Sequence, residues 1–318
     1  ELTKGHENWT WCDCLLMAPP DWVRLYCSTG DERYLDFAVT NWWRTADFLY
    51  DQGEHLFFRD STFFKKTEAN GQKVFWSRGN GWVFAGIVRM LEYLPANHPD
   101  RPRFEQLFKD MAAKILTGQQ PDGLWRSSLL DPASYPLKET SGSGFFTYGF
   151  AWGVNQGLLD RATYEPAVLK AWAELTNCVE AEGPLPPVPP VGSDPKKFSP
   201  ESPDAYGVGA FLLAGSEVYR MAALEKPFVK VTVSNPSSFY RACETVDLNV
   251  PDLLKAIDSP AQLAKKDSLL YDPPFHMQRV RMMSVMDGVS SRILDSQTYV
   301  EPNFPWKKIF QVDLAPHE

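Results

Sequence analysis

The chain has little of what marks several common classes of protein. Its five cysteines (12, 14, 27, 178 and 243) are odd in number and contain no Cys-x-x-Cys pair, so neither a disulfide framework nor a zinc site is expected. Lys and Arg never cluster beyond a pair. With 32 basic against 40 acidic residues, the formal charge of -8 argues against a nucleic-acid partner. No stretch approaches the roughly 18 uninterrupted apolar residues of a membrane span. His276 and His317 stand singly, without ligand spacing, so no metal and no cofactor are expected. The chain starts at Glu1 with neither Met nor a signal-like segment, and a processed or truncated product is therefore expected.

What is present is aromatic and helical. The 318 residues exceed the usual size of one domain, which suggests one large and one small domain. Eleven tryptophans suit a surface that binds carbohydrate or peptide, although most tryptophans of a large helical protein belong to its core.

Apolar spacings of three and four predict seven helices. The first covers 12–28 and is broken or bent at Pro19-Pro20. The others are 31–50, Arg78 to Pro95, Arg103 to Leu116, Ser141 to about Leu159, 164–181 and Tyr206 to about Ala223. A Gly-x-Gly opens an apolar helix at Gly79/Gly81, Gly142/Gly144 and Gly207/Gly209, an interval of about 64 residues that marks a repeat of helical hairpins. One further period back from Gly79 falls on Asp13. Asp13, Arg78/Asn80, Ser141/Ser143 and Tyr206 thus share one rim, at the N-terminal ends of successive inner helices, where helix dipoles favour an anion. The glycines serve close helix packing, ligand approach, or both.

From Pro227 the texture alternates. Phe228 to Ser234, Glu244 to Leu248, Arg279 to Met286 and Ile309 to Leu314 are strand candidates, and Asn235-Pro236 is a turn signal. A mainly α domain over residues 1–225 followed by a small all-β, sandwich-like module over 226–318 is the expected organisation.

The carboxylate of most interest is Asp13, inside the run Trp9-Thr-Trp-Cys-Asp-Cys-Leu-Leu-Met17. Apolar neighbours would desolvate it, raise its pKa and make it a proton donor near neutrality, with aromatic walls for a sugar ring. The competing reading is that Asp13 simply caps or charges the first turn of a helix.

Three motifs in order, Trp11-Cys-Asp-Cys-Leu-Leu-Met17, Phe75-Trp-Ser-Arg-Gly-Asn-Gly-Trp82 and Tyr135-Pro-Leu-Lys-Glu-Thr-Ser-Gly-Ser-Gly-Phe-Phe146, resemble the unsaturated rhamnogalacturonyl and glucuronyl hydrolases of glycoside hydrolase families 88 and 105. The resemblance implies an (α/α)6 toroid. Seven helices against twelve imply that about five N-terminal helices are lacking. It also implies an oligosaccharide substrate with a 4,5-unsaturated uronic acid at its non-reducing end. Protonation of the vinyl ether at C4 and hydration at C5 give a hemiketal whose collapse releases the glycoside. Asp13 falls on the catalytic aspartate, and Arg78 on an arginine suited to the substrate carboxylate. Trp76, Trp82 and Trp125 are candidate stacking platforms, each with a core reading beside it.

The chain departs from the family pattern at Arg59, which replaces a substrate-contacting histidine, and at Leu2, where another histidine would fall. Arg59 either meets a second acidic group of the substrate or pairs with Asp60. No nucleic-acid or membrane partner is expected, and a periplasmic or secreted setting is favoured. Two alternatives stay open at this point: a toroidal glycosidase of saturated uronic or neutral sugars, and a sugar-binding protein without activity.

Overall fold

The structure is a computed structural model, and it describes residues 9–180, 185, 188 and 205–223, with strand segments between 241 and 314. The chain divides into two compact units, one of Glu1–Val154 with Leu158–Met221, the other of Asn155–Gly157 with Ala222–Glu318.

The first unit is helical: α1 (Cys14–Met17), α2 (Pro19–Thr29), α3 (Glu32–Leu49), α4 (Ser77–Tyr93), α5 (Arg101–Thr117), α6 (Thr140–Asn155), α7 (Arg161–Asn177) and α8 (Ala205–Ala223). Of the break or bend expected at Pro19-Pro20, the structure has the break. Pro19 and Pro20 occupy the first turn of α2, where a missing N–H costs nothing, and Gly30 closes that helix at φ 70°. Asp31 and Asp160 cap α3 and α7 by accepting from the N–H groups of Arg33 and Thr163. Arg101, buried at the start of α5, donates to the carbonyls of Leu91 and Leu94 at 3.1 and 2.6 Å and so closes the end of α4.

α4 and α6 are buried on nearly every side, as helices of an inner layer must be. Phe84 of α4 stacks on Phe108 of α5 at 4.7 Å and meets Phe150 of α6 edge-on at 5.7 Å. Phe150 continues to Tyr164 of α7, and Trp172 of α7 stacks on Phe211 of α8. The repeated glycines are where successive inner helices touch. A Cβ on Gly81 would stand 3.3 Å from the Gly142 Cα, and one on Gly144 would stand 2.9 Å from the Ala210 Cβ. Close packing is therefore the role of these two positions, while Gly209 faces open space.

Two loop pairings bring the helix starts together. β1 (Tyr50–Asp51) and β2 (Leu56–Phe57) form a short antiparallel hairpin. The segment before α4 runs beside that before α6, with the Ser77 N–H donating to the Ser127 carbonyl and the Leu129 N–H to the Phe75 carbonyl.

In the second unit, β3 (Arg241–Asn249) and β6 (Ser296–Tyr299) flank β7 (Lys307–Leu314) in an antiparallel sheet, with Val246 opposite Phe310. β4 (Val285–Met286) pairs with β5 (Ile293–Leu294). The expected strands at Glu244–Leu248 and Ile309–Leu314 lie within β3 and β7. The strand expected at Phe228–Ser234, the turn at Asn235-Pro236, most of 279–286, His276, His317 and Leu2 lie outside the described residues.

Candidate active site

Asp13 occupies the N-cap position of α1, and its side chain makes no capping hydrogen bond there. The turn that carries it is tied to the loop after β2, because the Cys12 N–H donates to the Arg59 carbonyl at 2.8 Å. The buried Cys12 thiol donates to Asp13 Oδ1 at 3.6 Å. Burial pushes the Asp13 carboxyl up to about 6, against the downward pull of the thiol, Arg78 and Arg59. The carboxyl is therefore poised between its acid and base forms close to neutrality.

Arg78 enters from the first turn of α4 and is almost wholly buried. Its guanidinium lies 4.6 Å from the Trp76 ring and 4.6 Å from the Tyr206 ring of α8, so two aromatic faces hold it in place. Asn80, one turn on, is a clamp. It accepts from the Phe57 N–H at 2.8 Å and donates to the carbonyls of Phe57 and Trp76, fixing β2 against the start of α4.

Arg59 pairs with Asp60. Its Nε bonds Asp60 Oδ2 at 2.8 Å, and its guanidinium lies over Trp11 at 4.2 Å and Phe63 at 4.4 Å. Its charge still acts on Asp13. Two of the three tryptophan platforms need correction. Trp125 is wholly buried, donates its indole N–H to the Ile115 carbonyl and packs on Phe146 and Phe150, so it is core. Trp76 is only 2% exposed and supports Arg78 from below the surface. Trp82 is half-buried, packed against Phe145 at 4.3 Å and edge-on to Tyr206 at 6.2 Å.

Sequence reasoning passed over Glu139, the residue before α6. It is fully buried, accepts from the N–H groups of Ser141 at 3.1 Å and Gly142 at 2.6 Å, and receives the Ser141 hydroxyl as well. Burial raises its pKa, while Arg78 and these donors oppose the rise. The signal was an acid just ahead of a Ser-Gly helix start, which reads as an ordinary first-turn charge until the fold buries it. Among the described residues, no group of three His, Cys, Asp or Glu could hold a metal ion, and no helix is long and apolar enough to cross a membrane.

The helix starts thus bring near one another a carboxyl with a raised pKa and a buried guanidinium whose charge acts on it. Residues 2–222 match the model of Glycosyl Hydrolase Family 88, and the chain belongs to that family. It is 47% identical over 220 residues to an unsaturated 3S-rhamnoglycuronyl hydrolase of Formosa agariphila, covering 67% of this chain and 58% of the relative. A protein of the same description from Alteromonas sp. is 41% identical over 211 residues, covering 66% of this chain and 51% of the relative. A glycosyl hydrolase family 88 structure from Bacteroides vulgatus superposes with a TM-score of 0.66 at 38% identity, over 69% of this chain and 65% of that one. The chain thus spans little more than half the length of the curated relatives it matches.

Proposed function

We propose that the protein hydrolyses oligosaccharides carrying a 4,5-unsaturated uronic acid at the non-reducing end. The observation that carries this is the Asp13 carboxyl, raised to about 6 by burial although two guanidinium groups act on it. An ordinary glycosidase needs two carboxyl groups with separate tasks. Protonating a vinyl ether and then assisting water needs one group that can do both, with a pKa near the working pH. In this reading Asp13 gives its proton to C4, the charge that develops at C5 takes up water as Asp13 recovers the proton, and the hemiketal opens. Arg78 binds the uronate carboxylate, held in position by the Trp76 and Tyr206 rings. Trp82 offers the stacking face.

The helical unit, taken as residues 1–225, is part of an (α/α)6 toroid, and 226–318 is an accessory β-sandwich-like module. A periplasmic or secreted setting suits a substrate released from a polysaccharide. Since two of the curated relatives are named unsaturated 3S-rhamnoglycuronyl hydrolases, an unsaturated 3S-rhamnoglycuronyl oligosaccharide is the first substrate to try. Turnover would bleach the ultraviolet absorbance of the vinyl ether. Release of the second sugar without bleaching would instead indicate hydrolysis of a saturated bond and overturn the proposal.

A further inference from the structure

The turn that presents Asp13 is seated on one face of α4. Gly79 and Gly86 lie two turns apart on that helix and so share a face. A Cβ on Gly79 would stand 3.1 Å from the Cys12 Sγ, and one on Gly86 would stand 2.5 Å from the Leu15 carbonyl oxygen. The two glycines therefore let residues 12–15 lie directly on the helix backbone, with the Cys12 thiol at one end and the Leu15 carbonyl at the other. Asp13 falls between these two points of close approach.

Cys12 is anchored through its backbone as well. Its N–H donates to the Arg59 carbonyl at 2.8 Å, and its carbonyl accepts from the Leu15 N–H at 3.0 Å. Its side chain is wholly buried and donates to Asp13 Oδ1 at 3.6 Å. Among the described residues this is the one hydrogen bond that another side chain makes to the Asp13 carboxyl, which otherwise has its own backbone N–H. A thiol is a weak donor. This one is also a constant donor, because burial and the charge of Asp13 push it well above the ordinary thiol range, and it stays protonated while Asp13 titrates. An oxygen that accepts a hydrogen bond is the carbonyl oxygen of the acid form, so a donor on Oδ1 leaves the transferable proton to Oδ2.

We infer that Cys12 is a positioning residue of the active site: its thiol, seated against Gly79 and bonded to Oδ1, fixes the rotation of the Asp13 carboxyl so that Oδ2 carries the proton to be delivered.

This rests on reading Asp13 as the proton donor. Three other groups act on the carboxyl or feel its charge: Cys14 from the same turn, Arg59 from the segment after β2 and Arg78 from the start of α4. All three are retained when Cys12 alone is replaced.

The titration of Asp13 is followed by carbon NMR of the aspartate-labelled full chain, with the signal assigned by its loss in Asp13→Asn. Cys12→Ala removes a donor that favours the ionised form, so the Asp13 midpoint should rise by about half a pH unit. Cys12→Ser keeps a donor at the same position and should hold the midpoint at or below that of the parent. In an active preparation the alkaline limb of kcat/KM should rise with the midpoint in Cys12→Ala, and kcat should fall about tenfold as the carboxyl is freed to turn. Cys12→Ser should recover most of that loss. Should Cys12→Ala fail to fold, the parent itself supplies the readout: the infrared S–H stretch of Cys12, assigned by its loss in Cys12→Ser, should move to lower frequency as Asp13 ionises. Equal midpoints in Cys12→Ala and Cys12→Ser, or an S–H band that ignores the Asp13 titration, would make the thiol a filler of the space beside Gly79 and overturn the inference. The midpoints are read without substrate, so a parent protein that never bleaches the vinyl ether refutes the proposed reaction while the titration still decides whether the thiol holds the carboxyl.

Discussion

α4 carries a buried charge cluster at each end, about 20 Å apart along one helix, and the two are built on opposite terms. At its C-terminal end, Glu92 takes the Arg89 guanidinium on one oxygen at 3.0 Å and the Tyr148 hydroxyl of α6 on the other at 3.3 Å. At its N-terminal end, Arg78 acts on Asp13 without a hydrogen bond between them, and the Asp13 side chain accepts only a thiol among the described residues. The difference separates structure from chemistry. A buried carboxylate with a direct donor on each oxygen is satisfied and inert. One with cations held at a remove keeps a proton it can give away.

The contrast breaks most visibly at Asp13. Asp13→Asn, which keeps the shape and removes the proton, should lower turnover at least about a hundredfold. The same variant sharpens the comparison through stability. Because the folded midpoint of about 6 lies above the ordinary 3.8, the folded state binds the proton more tightly than the unfolded chain. The ionised form therefore costs stability, by up to about 3 kcal/mol, fully above the folded midpoint and not at all below the ordinary one. Asp13→Asn should then raise the melting temperature in mildly alkaline buffer and leave it unchanged in acid. A loss of stability at every pH would show that the carboxylate is a structural partner like Glu92.

Asn80→Ala comes next. It would strip the Phe57 N–H and carbonyl of their buried partner, at a cost of about 2 to 3 kcal/mol in urea unfolding. Since β2 leads directly to Arg59, whose carbonyl holds the Asp13 turn, kcat per folded molecule should fall as well. Lost stability with undiminished kcat would show that the hairpin does not brace the rim.

These residues also show what a sequence can and cannot reveal. The helices are legible because burial imposes a period: 31–50 was expected and α3 is Glu32–Leu49. The repeat placed Asp13 and Arg78 at helix starts, and Trp11-Cys-Asp-Cys carried the resemblance. The burial of a single aromatic is not encoded by its type, so nothing local distinguished Trp125 of the loop before α6, which is core, from Trp82 of α4, which is half-buried. Glu139 was hidden for a related reason. Its neighbours are set by the pairing of 75–77 with 127–129, a contact across about 50 residues of chain that no local pattern encodes.

Arg59 gives a smaller effect with a diagnostic sign. Its charge lowers the Asp13 pKa, so Arg59→Leu should raise the Asp13 midpoint, while Arg59→Lys keeps the charge and should move it little. Both variants lose the contacts with Trp11 and Phe63 and should cost about 1 kcal/mol of stability. Equal midpoints in the two variants would mean that packing, and not charge, is what Arg59 contributes.

The smallest effect belongs to the far end of α4. Tyr148 is fully buried in α6, its phenol pushed well above the usual range by burial and by Glu92, so it stays protonated and serves only as a donor. Tyr148→Phe removes one hydroxyl and leaves the ring beside Arg89. Glu92 loses one donor and keeps Arg89, so stability should drop by about 1 kcal/mol. Turnover and its pH profile should superimpose on those of the parent, because the altered charge environment lies about 20 Å along α4 from Arg78, beyond the screening length at physiological salt. A displaced profile would mean that α4 transmits a shift from one end to the other as a rigid rod. The two clusters would then be a single coupled system, and the division between a satisfied end and a reactive end would have to be given up.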